Sequence, residues 1–475
     1  MRGIVKGRRS VVTASLLAVL LLAATALAAW AALGHFLTNI SETSTDAGYP
    51  AVAVNGNSIG IAWSEQYPGG TALQGPIYLQ GTTNGLNLAP RQVVDDSFSV
   101  NNQSWAPDIA ADSTGRMHIV WKNLFQSTTH RLFYRPCNIG SNCLTQTKET
   151  IVSKPDPTEV DLPRLALGRT RGGIHVVWQE KGTGEGSIMY AGRVTTNSWS
   201  TPFALASVTL DEDLPPAAPA IAVTTDGVND YVHVVWVNNA SAKDIRYRRG
   251  TVPSTHNTVQ SWGAVKSWPN PNSNLTKGYP AIAAAGSTVV VLWDVNTGAT
   301  NEYYALYDVS TDHGANWPGP VKEMLTDQTL LANFTPIQSK VNGVHTRYTE
   351  RLQIQAAFGP GSDVLHVVWH QSETNAELET VRHVFYSSHS GPWNSGSWEA
   401  SSDNGGHKYF EPNSYSISPA IGVGPAGRLH VVYMEGRKEF LPELPNNEFD
   451  IIYNGTSELK PPIKVFLPLI LKNSS

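Results

Sequence analysis

Two cysteines among 475 residues leave room for one disulfide at most, so the chain is no cysteine-stapled scaffold. Charge is also sparse. Asp, Glu, Lys and Arg together make up 15% of the residues, with 34 basic against 39 acidic side chains and a formal net charge of -5. No block of basic residues appears beyond the first ten positions, which argues against nucleic acid as a partner. After residue 35 there is hardly any helical periodicity. What is abundant is 40 Gly, 30 Pro and 14 Trp, a composition that suits many short strands joined by turns.

The ends of the chain differ from its body. MRGIVKGRRS followed by VVTASLLAVLLLAATALAAWAAL is a basic region and then an apolar run ending in small residues, the pattern of an export signal over residues 1–34. Ala26-Leu27-Ala28 offers a small-x-small cleavage site, and the run from Val11 to Leu33 is also long enough to span a bilayer if it is retained as an anchor. Either way the remainder is expected outside the cytoplasm, secreted or attached to the envelope. Cys137 and Cys143 are then candidates for a disulfide closing the loop CNIGSNC, with two free thiols as the alternative. The last stretch, 461–475, carries a short apolar run from Val465 to Leu471 that is too short to cross a membrane.

Between these ends one unit repeats. Aligned on an aromatic residue, it reads GIAW to Trp63, HIVW to Trp121, HVVW to Trp178, HVVW to Trp236, VVLW to Trp293, HVVW to Trp369 and HVVY to Tyr433. The spacings are 58, 57, 58, 57, 76 and 64 residues, a period that for strands means a solenoid or a propeller. Before each aromatic run stands a mostly Pro-led apolar run (strand A, as in PAVAV from Pro50), and the HVVW run is strand B. An aromatic run such as RLFYR is strand C, and a fourth run such as ETIVSK is strand D. The seventh unit has no D strand of its own, while HFLTNISETSTDAGY precedes the first proline and matches one. Residues 35–460 are therefore expected to form one all-β domain: a seven-bladed propeller of four-stranded antiparallel blades, its last blade completed by an N-terminal strand.

In the fifth unit, Ser310-x-Asp312-x-Gly314-x-x-Trp317 has the pattern S-x-D-x-G-x-x-W between strands C and D, and there it resembles the Asp box of the sialidase-type BNR repeats. SSHSGPW, from Ser387 to Trp393, is a shortened copy. The pattern is a fold signal: Asp accepts from the turn backbone, Gly takes a conformation other residues resist, and Trp packs beneath. The resemblance implies a glycan-directed function, with three arginines holding a substrate carboxylate, a tyrosine activated by a glutamate as nucleophile, and an aspartate as acid/base. The family's first arginine lies in an F/Y-R-I-P motif that is absent here, so enzymatic activity stays open.

Repetition separates scaffold from site. His118, His175, His233, His366 and His430 each stand three residues before the strand B aromatic, which makes them structural rather than metal ligands. No metal site or cofactor is expected. Function should sit where the symmetry breaks, on the face of the D-to-A and B-to-C loops. Tyr348, Glu350 and Asp161 are the candidate catalytic residues there. Arg164, Arg351, His370, Trp105 and Glu180 are the candidate ligand-binding residues, with Tyr279 and Tyr409 as further aromatics of the mouth. The expected partner is a glycan or other cell-surface ligand, with a sialidase or related glycoside hydrolase as the alternative reading and membrane attachment through the N-terminal segment left open.

Overall fold

The computed structural model describes residues 36–41, 46–66, 75–95, 97, 102–182, 185–209, 218–238, 244–269, 276–277, 279–296, 303–324, 340–341, 344–345, 353–374, 380–399, 415–436 and 449–455. The export segment, the C-terminal tail, Tyr348, Glu350, Arg351 and Tyr409 lie outside the described residues. No described helix is long and apolar enough to cross a membrane.

Seven blades are present, each a four-stranded antiparallel sheet. Blade 2 shows the pattern without interruption: strand A is Asn102–Ala111, B is Met117–Phe125, C is Thr129–Cys137 and D is Glu149–Pro155. The first blade starts at Ala47–Asn55 and the seventh at Tyr415–Val423. Each A strand lies against the A strands of both neighbouring blades, so seven A strands form a closed innermost layer. Closure comes from the N-terminus. Phe36–Asn39 pairs antiparallel with Phe449–Gly455, placing Thr38 opposite Tyr453. The seam continues past the ladder: the Ile40 N–H donates to Ile451 O at 2.8 Å, and Ser41 Oγ donates to Asp450 Oδ1 at 3.1 Å. An open stack would leave two unpaired edges here, which the ring removes.

The apolar interior is divided among the blade interfaces. Buried hydrophobic residues form seven clusters, one between each pair of consecutive blades. The strand B tryptophans Trp63, Trp121, Trp178, Trp236, Trp293 and Trp369 are all fully buried, as is Tyr433 in the seventh position. Truncating one such ring costs about 3 to 5 kcal/mol in a packed core. The repeated histidines are buried beside tyrosines of strand C. Nδ1 lies 2.7 to 2.8 Å from the phenolic oxygen in His118–Tyr134, His175–Tyr190, His233–Tyr247, His366–Tyr386 and His430–Tyr453. Each pair satisfies two polar groups that the interface would otherwise leave orphaned.

The C-to-D turns lock each blade to the one before it. In blade 5, Ser310 Oγ donates to Asp312 Oδ1 at 2.8 Å, Gly314 N–H donates to Ser310 Oγ at 3.0 Å, and Asn316 N–H donates to Asp312 Oδ1 at 2.9 Å. Gly314 has φ +68°, the left-handed region, and a Cβ there would collide with Tyr247 Oη of blade 4. Trp317 then packs edge-on to Tyr247 and to Trp268 of blade 4, with ring centroids 5.0 Å apart in both cases. Trp199 against Tyr134 and Trp262 against Tyr190 make the same inter-blade contact without the Asp turn. In blade 2 the turn is closed instead by the Cys137–Cys143 disulfide, Cα atoms 5.0 Å apart, both residues fully buried. Gln92 of blade 1 holds that loop, donating to Asn138 O at 3.1 Å and accepting from Gly140 N–H at 3.0 Å.

One expectation needs correction. The prolines were read as opening strand A, but Pro50, Pro107, Pro163 and Pro419 sit within strands that begin at Ala47, Asn102, Glu159 and Tyr415. In all four the ladder slips just there, between Gly48 and Ala51, Trp105 and Asp108, Asp161 and Arg164, and Ile417 and Ala420. A bulge leaves one residue unpaired, and proline, which has no N–H, fits where the ladder asks for none.

Candidate functional site

Strand A starts, strand B ends and strand C starts share one face, and the bulges shape its centre. The residue before each of those prolines has a left-handed backbone, with φ +54° at Tyr49, +51° at Ala106, +50° at Leu162 and +54° at Ser418, and Gln353 takes φ +45° in blade 6. Five non-glycine residues in this region at equivalent places are a built feature of the ring, and the kink re-aims the side chains on either side of it.

Those side chains show where the symmetry fails. Immediately past the bulge, opposite the residue before the strand B aromatic, stand Ala51, Asp108, Arg164, Ala220, Ala281, Gln355 and Ala420 in blades 1 to 7. Four blades place alanine beside the axis. Blades 2 and 3, which are neighbours, place a carboxyl and a guanidinium. Asp108 Oδ2 accepts the Leu165 N–H of blade 3 at 2.7 Å. Burial pushes the Asp108 carboxyl above its ordinary range, although the Arg164 guanidinium and that backbone donor oppose the shift. Arg164 Nη1 donates to Pro163 O at 3.0 Å.

Just before the bulge, the same two blades supply Trp105 and Asp161. Trp105 faces Lys122 across the ladder, and the Lys122 ammonium lies 4.6 Å from the indole centroid. Lys122 reaches Asp161 of blade 3, with Nζ to Oδ1 at 3.3 Å and side-chain exposures of 5% and 31%. Asp161 Oδ1 also accepts the Leu162 N–H at 2.9 Å, so both partners converge on one carboxylate oxygen. Trp105, Lys122, Asp161, Asp108 and Arg164 thus form one polar sector spanning two blades.

Tyr49 from blade 1 completes it. This tyrosine is 43% exposed, one of the few large apolar side chains so open among the described residues. Its phenol is pushed above the ordinary value first by burial, then by the Asp161 carboxylate and by Tyr279. The influence of Asp161 and Tyr279 brings three blades to bear on one hydroxyl. A phenol so placed keeps its proton and can serve as a donor. Sequence reasoning named Tyr279 and passed over Tyr49. The signal was present as a repeated Gly-Tyr-Pro, once at Gly48-Tyr49-Pro50 and once at Gly278-Tyr279-Pro280.

Of the other described candidates, Glu180 stands opposite Val160, one register step from Asp161, and His370 lies in blade 6. Glu180 accepts the Trp178 indole N–H at 3.2 Å and pairs with Lys154 at 3.3 Å. Glu65 does the same with Trp63 at 3.0 Å and Arg91 at 2.8 Å, so this arrangement belongs to the scaffold. His370 is buried on strand B of blade 6, opposite Val384. Groups of three or more His, Cys, Asp or Glu able to hold a metal are absent among the described residues.

No family model matches the chain. No curated protein matches it either. Among solved structures, it is similar to a Penicillium chrysogenum alpha-L-arabinanase complexed with arabinobiose, with 12% identity, 73% of this chain and 92% of that chain covered, and a TM-score of 0.43. The polysaccharide lyase Uly1 aligns at 10% identity over 85% of this chain and 89% of its own, with a TM-score of 0.47. A Trypanosoma rangeli sialidase aligns at 11% identity over 79% of this chain and 56% of its own, with a TM-score of 0.39.

Proposed function

We propose that the protein is an exported propeller that binds a glycan on its loop-rich face, at the mouth of the ring beside blades 1 to 3. The observation that carries this reading is Tyr49: an exposed ring on a left-handed backbone, its hydroxyl under the influence of Asp161 and Tyr279, next to the Trp105–Lys122–Asp161 group. Aromatic faces suit the apolar faces of sugar rings, and a few fixed polar groups beside them supply orientation. The fully buried disulfide and the N-terminal basic-apolar segment support a location outside the cytoplasm. Tyr348, Glu350, Arg351 and His370 remain candidate contributors from blade 6 and the loop before it.

A second reading, glycoside hydrolysis, is favoured by Asp108, whose carboxyl is pushed upward by burial, as a general acid requires. Asp161 would then be the partner carboxylate. A tyrosine nucleophile fits Tyr49 poorly, because its environment disfavours the phenolate.

A glycan array on the purified exported domain, followed by a fluorogenic sialoside and arabinoside assay, tests both readings. Binding without turnover that is lost in Tyr49→Ala and Trp105→Ala is the expected result. Turnover abolished by Asp108→Asn establishes the hydrolase instead. A wild-type protein that neither binds nor cleaves any glycan overturns both.

A further inference from the structure

The described mouth holds two basic and two acidic side chains. Lys122 is paired with Asp161, and the Arg164 guanidinium donates to Pro163 O and acts electrostatically on the Asp108 carboxyl. A ligand carboxylate arriving here would have to break the buried Lys122 pair, leaving Asp161 uncompensated, or share Arg164 with a carboxyl that already draws on it. Removing one partner of a buried pair is costly.

What the mouth offers freely has a different character. Both partners of the Asp161 carboxylate, Lys122 Nζ and Leu162 N–H, engage Oδ1. The Asp161 side chain is 31% exposed, which leaves its carboxylate within reach of a ligand. Tyr49 contributes a protonated phenol with 43% of the residue exposed, and that hydroxyl makes no hydrogen bond among the described residues. One side of the mouth is thus an anionic acceptor and the other a neutral donor, with aromatic surface from Tyr49, Trp105 and Tyr279 around them. A sugar hydroxyl both donates and accepts, so neighbouring hydroxyls on one ring can engage such a pair together, while a carboxylate can only accept and meets Asp161 as a like charge.

We propose that this mouth recognises an uncharged, hydroxyl-rich sugar unit and rejects carboxylated sugars, with Asp161 as the specificity-determining residue and Tyr49 as its donor counterpart. The proposal rests on the glycan-binding reading and departs from the carboxylate-holding arginines that the sialidase-type resemblance implied. Lys122 is a positioning residue. It holds the Asp161 carboxylate from blade 2.

The test is affinity measured against matched pairs of oligosaccharides, neutral and uronic or sialylated, for wild type, Asp161→Asn and Tyr49→Phe. Wild type is expected to favour the neutral member by about tenfold or more, equivalent to about 1.4 kcal/mol. Asp161→Asn should lose about tenfold on neutral ligands and discriminate less against acidic ones, because the repelling charge is gone. Tyr49→Phe keeps the ring and the fold, so a loss on neutral ligands there reports the hydroxyl alone. Unchanged melting temperature in Tyr49→Phe guards against misfolding, which Asp161→Asn risks by stranding Lys122. Acidic ligands binding wild type more tightly than neutral ones overturns the proposal while leaving glycan binding intact. Neutral binding untouched in both variants overturns the assignment to these residues. Absence of binding to every glycan overturns the underlying reading itself.

Discussion

His233 Nδ1 and the hydroxyl of Tyr247 lie 2.7 Å apart, and Thr224 Oγ1 sits 2.8 Å from the other ring nitrogen. Tyr247 in turn donates to Gly314 O of blade 5 at 3.3 Å. A neutral imidazole carrying its proton on Nδ1 satisfies every member of this chain. Burial holds the ring neutral by lowering its pKa to about 3, and lowers His175 and His430 to about 4.

This makes acid the first stress on the fold. A histidine with a depressed folded pKa binds protons in the unfolded chain first, so stability falls as pH drops below about 6.5 and continues to fall toward about 4. At pH 5 the loss is about 2 kcal/mol per ring, as an order of magnitude. The raised carboxyls Glu65, Asp108 and Asp308 work in the opposite direction and offset part of it. Calorimetry from pH 7.5 to 4.5 should show a melting temperature that declines steadily below pH 6.5, and a flat profile would contradict neutral buried rings.

The Gly314 turn should be intolerant of any side chain. Gly314→Ala combines a left-handed backbone with a Cβ driven into Tyr247, and should cost about 2 kcal/mol or more. Gly361 has φ +66° with nothing within 4 Å of the added atom. Gly361→Ala should therefore lose only about 1 kcal/mol, from backbone conformation. Urea denaturation of the two variants gives the comparison, and equal losses would mean that the contact with Tyr247 is easily relieved.

At the seam, deleting residues 36–41 exposes the edge of blade 7 and removes the hydrogen bonds of Ile40 and Ser41 to Ile451 and Asp450. Deleting the tail after Pro462 leaves these contacts in place. The first truncation should lower the melting temperature by several degrees more than the second, and similar effects would show that the ladder contributes little.

Reduction of the Cys137–Cys143 bond, or the Cys137→Ser, Cys143→Ser pair, should destabilise by up to about 2 kcal/mol for so short a loop. The effect is limited because Gln92 still holds the turn through Asn138 and Gly140. Combining the serine pair with Gln92→Ala should therefore cost more than the two changes separately, since each covers for the other.

The ring was readable because its signals are local and repeated. Each strand B carries an aromatic at the same place in the repeat, and the surplus run before Pro50 matched the D strand missing after Asn454. The turn after strand C of blade 5 was readable for the same reason, since Ser310, Asp312, Gly314 and Trp317 lie within eight residues. The bulges were not. Nothing in Leu162-Pro163 or Ser418-Pro419 announces a left-handed residue, because the kink is imposed by the neighbouring A strands around the ring rather than by local preference. The site suffered likewise. Arg164 was named as a ligand-binding candidate, and Asp108 stands at the same register position in blade 2. Their isolation among alanines at one register position emerges only from the ladders, as does the reach of Lys122 from one blade to Asp161 of the next.

The seam also orders events in time. Ser41 meets Asp450 and Ile451 across about 410 residues of chain. Synthesis runs from the N-terminus, so residues 36–41 emerge first and wait for almost the whole polypeptide before their partner strand exists. Blades 1 to 6 can each pack on the preceding one as it appears, whereas the last can be completed only after Gly455 has emerged. Until then the growing assembly is an arc with two exposed strand edges, the species most open to pairing with another chain. Completion of the ring thus waits on the meeting of the first strand made with the last.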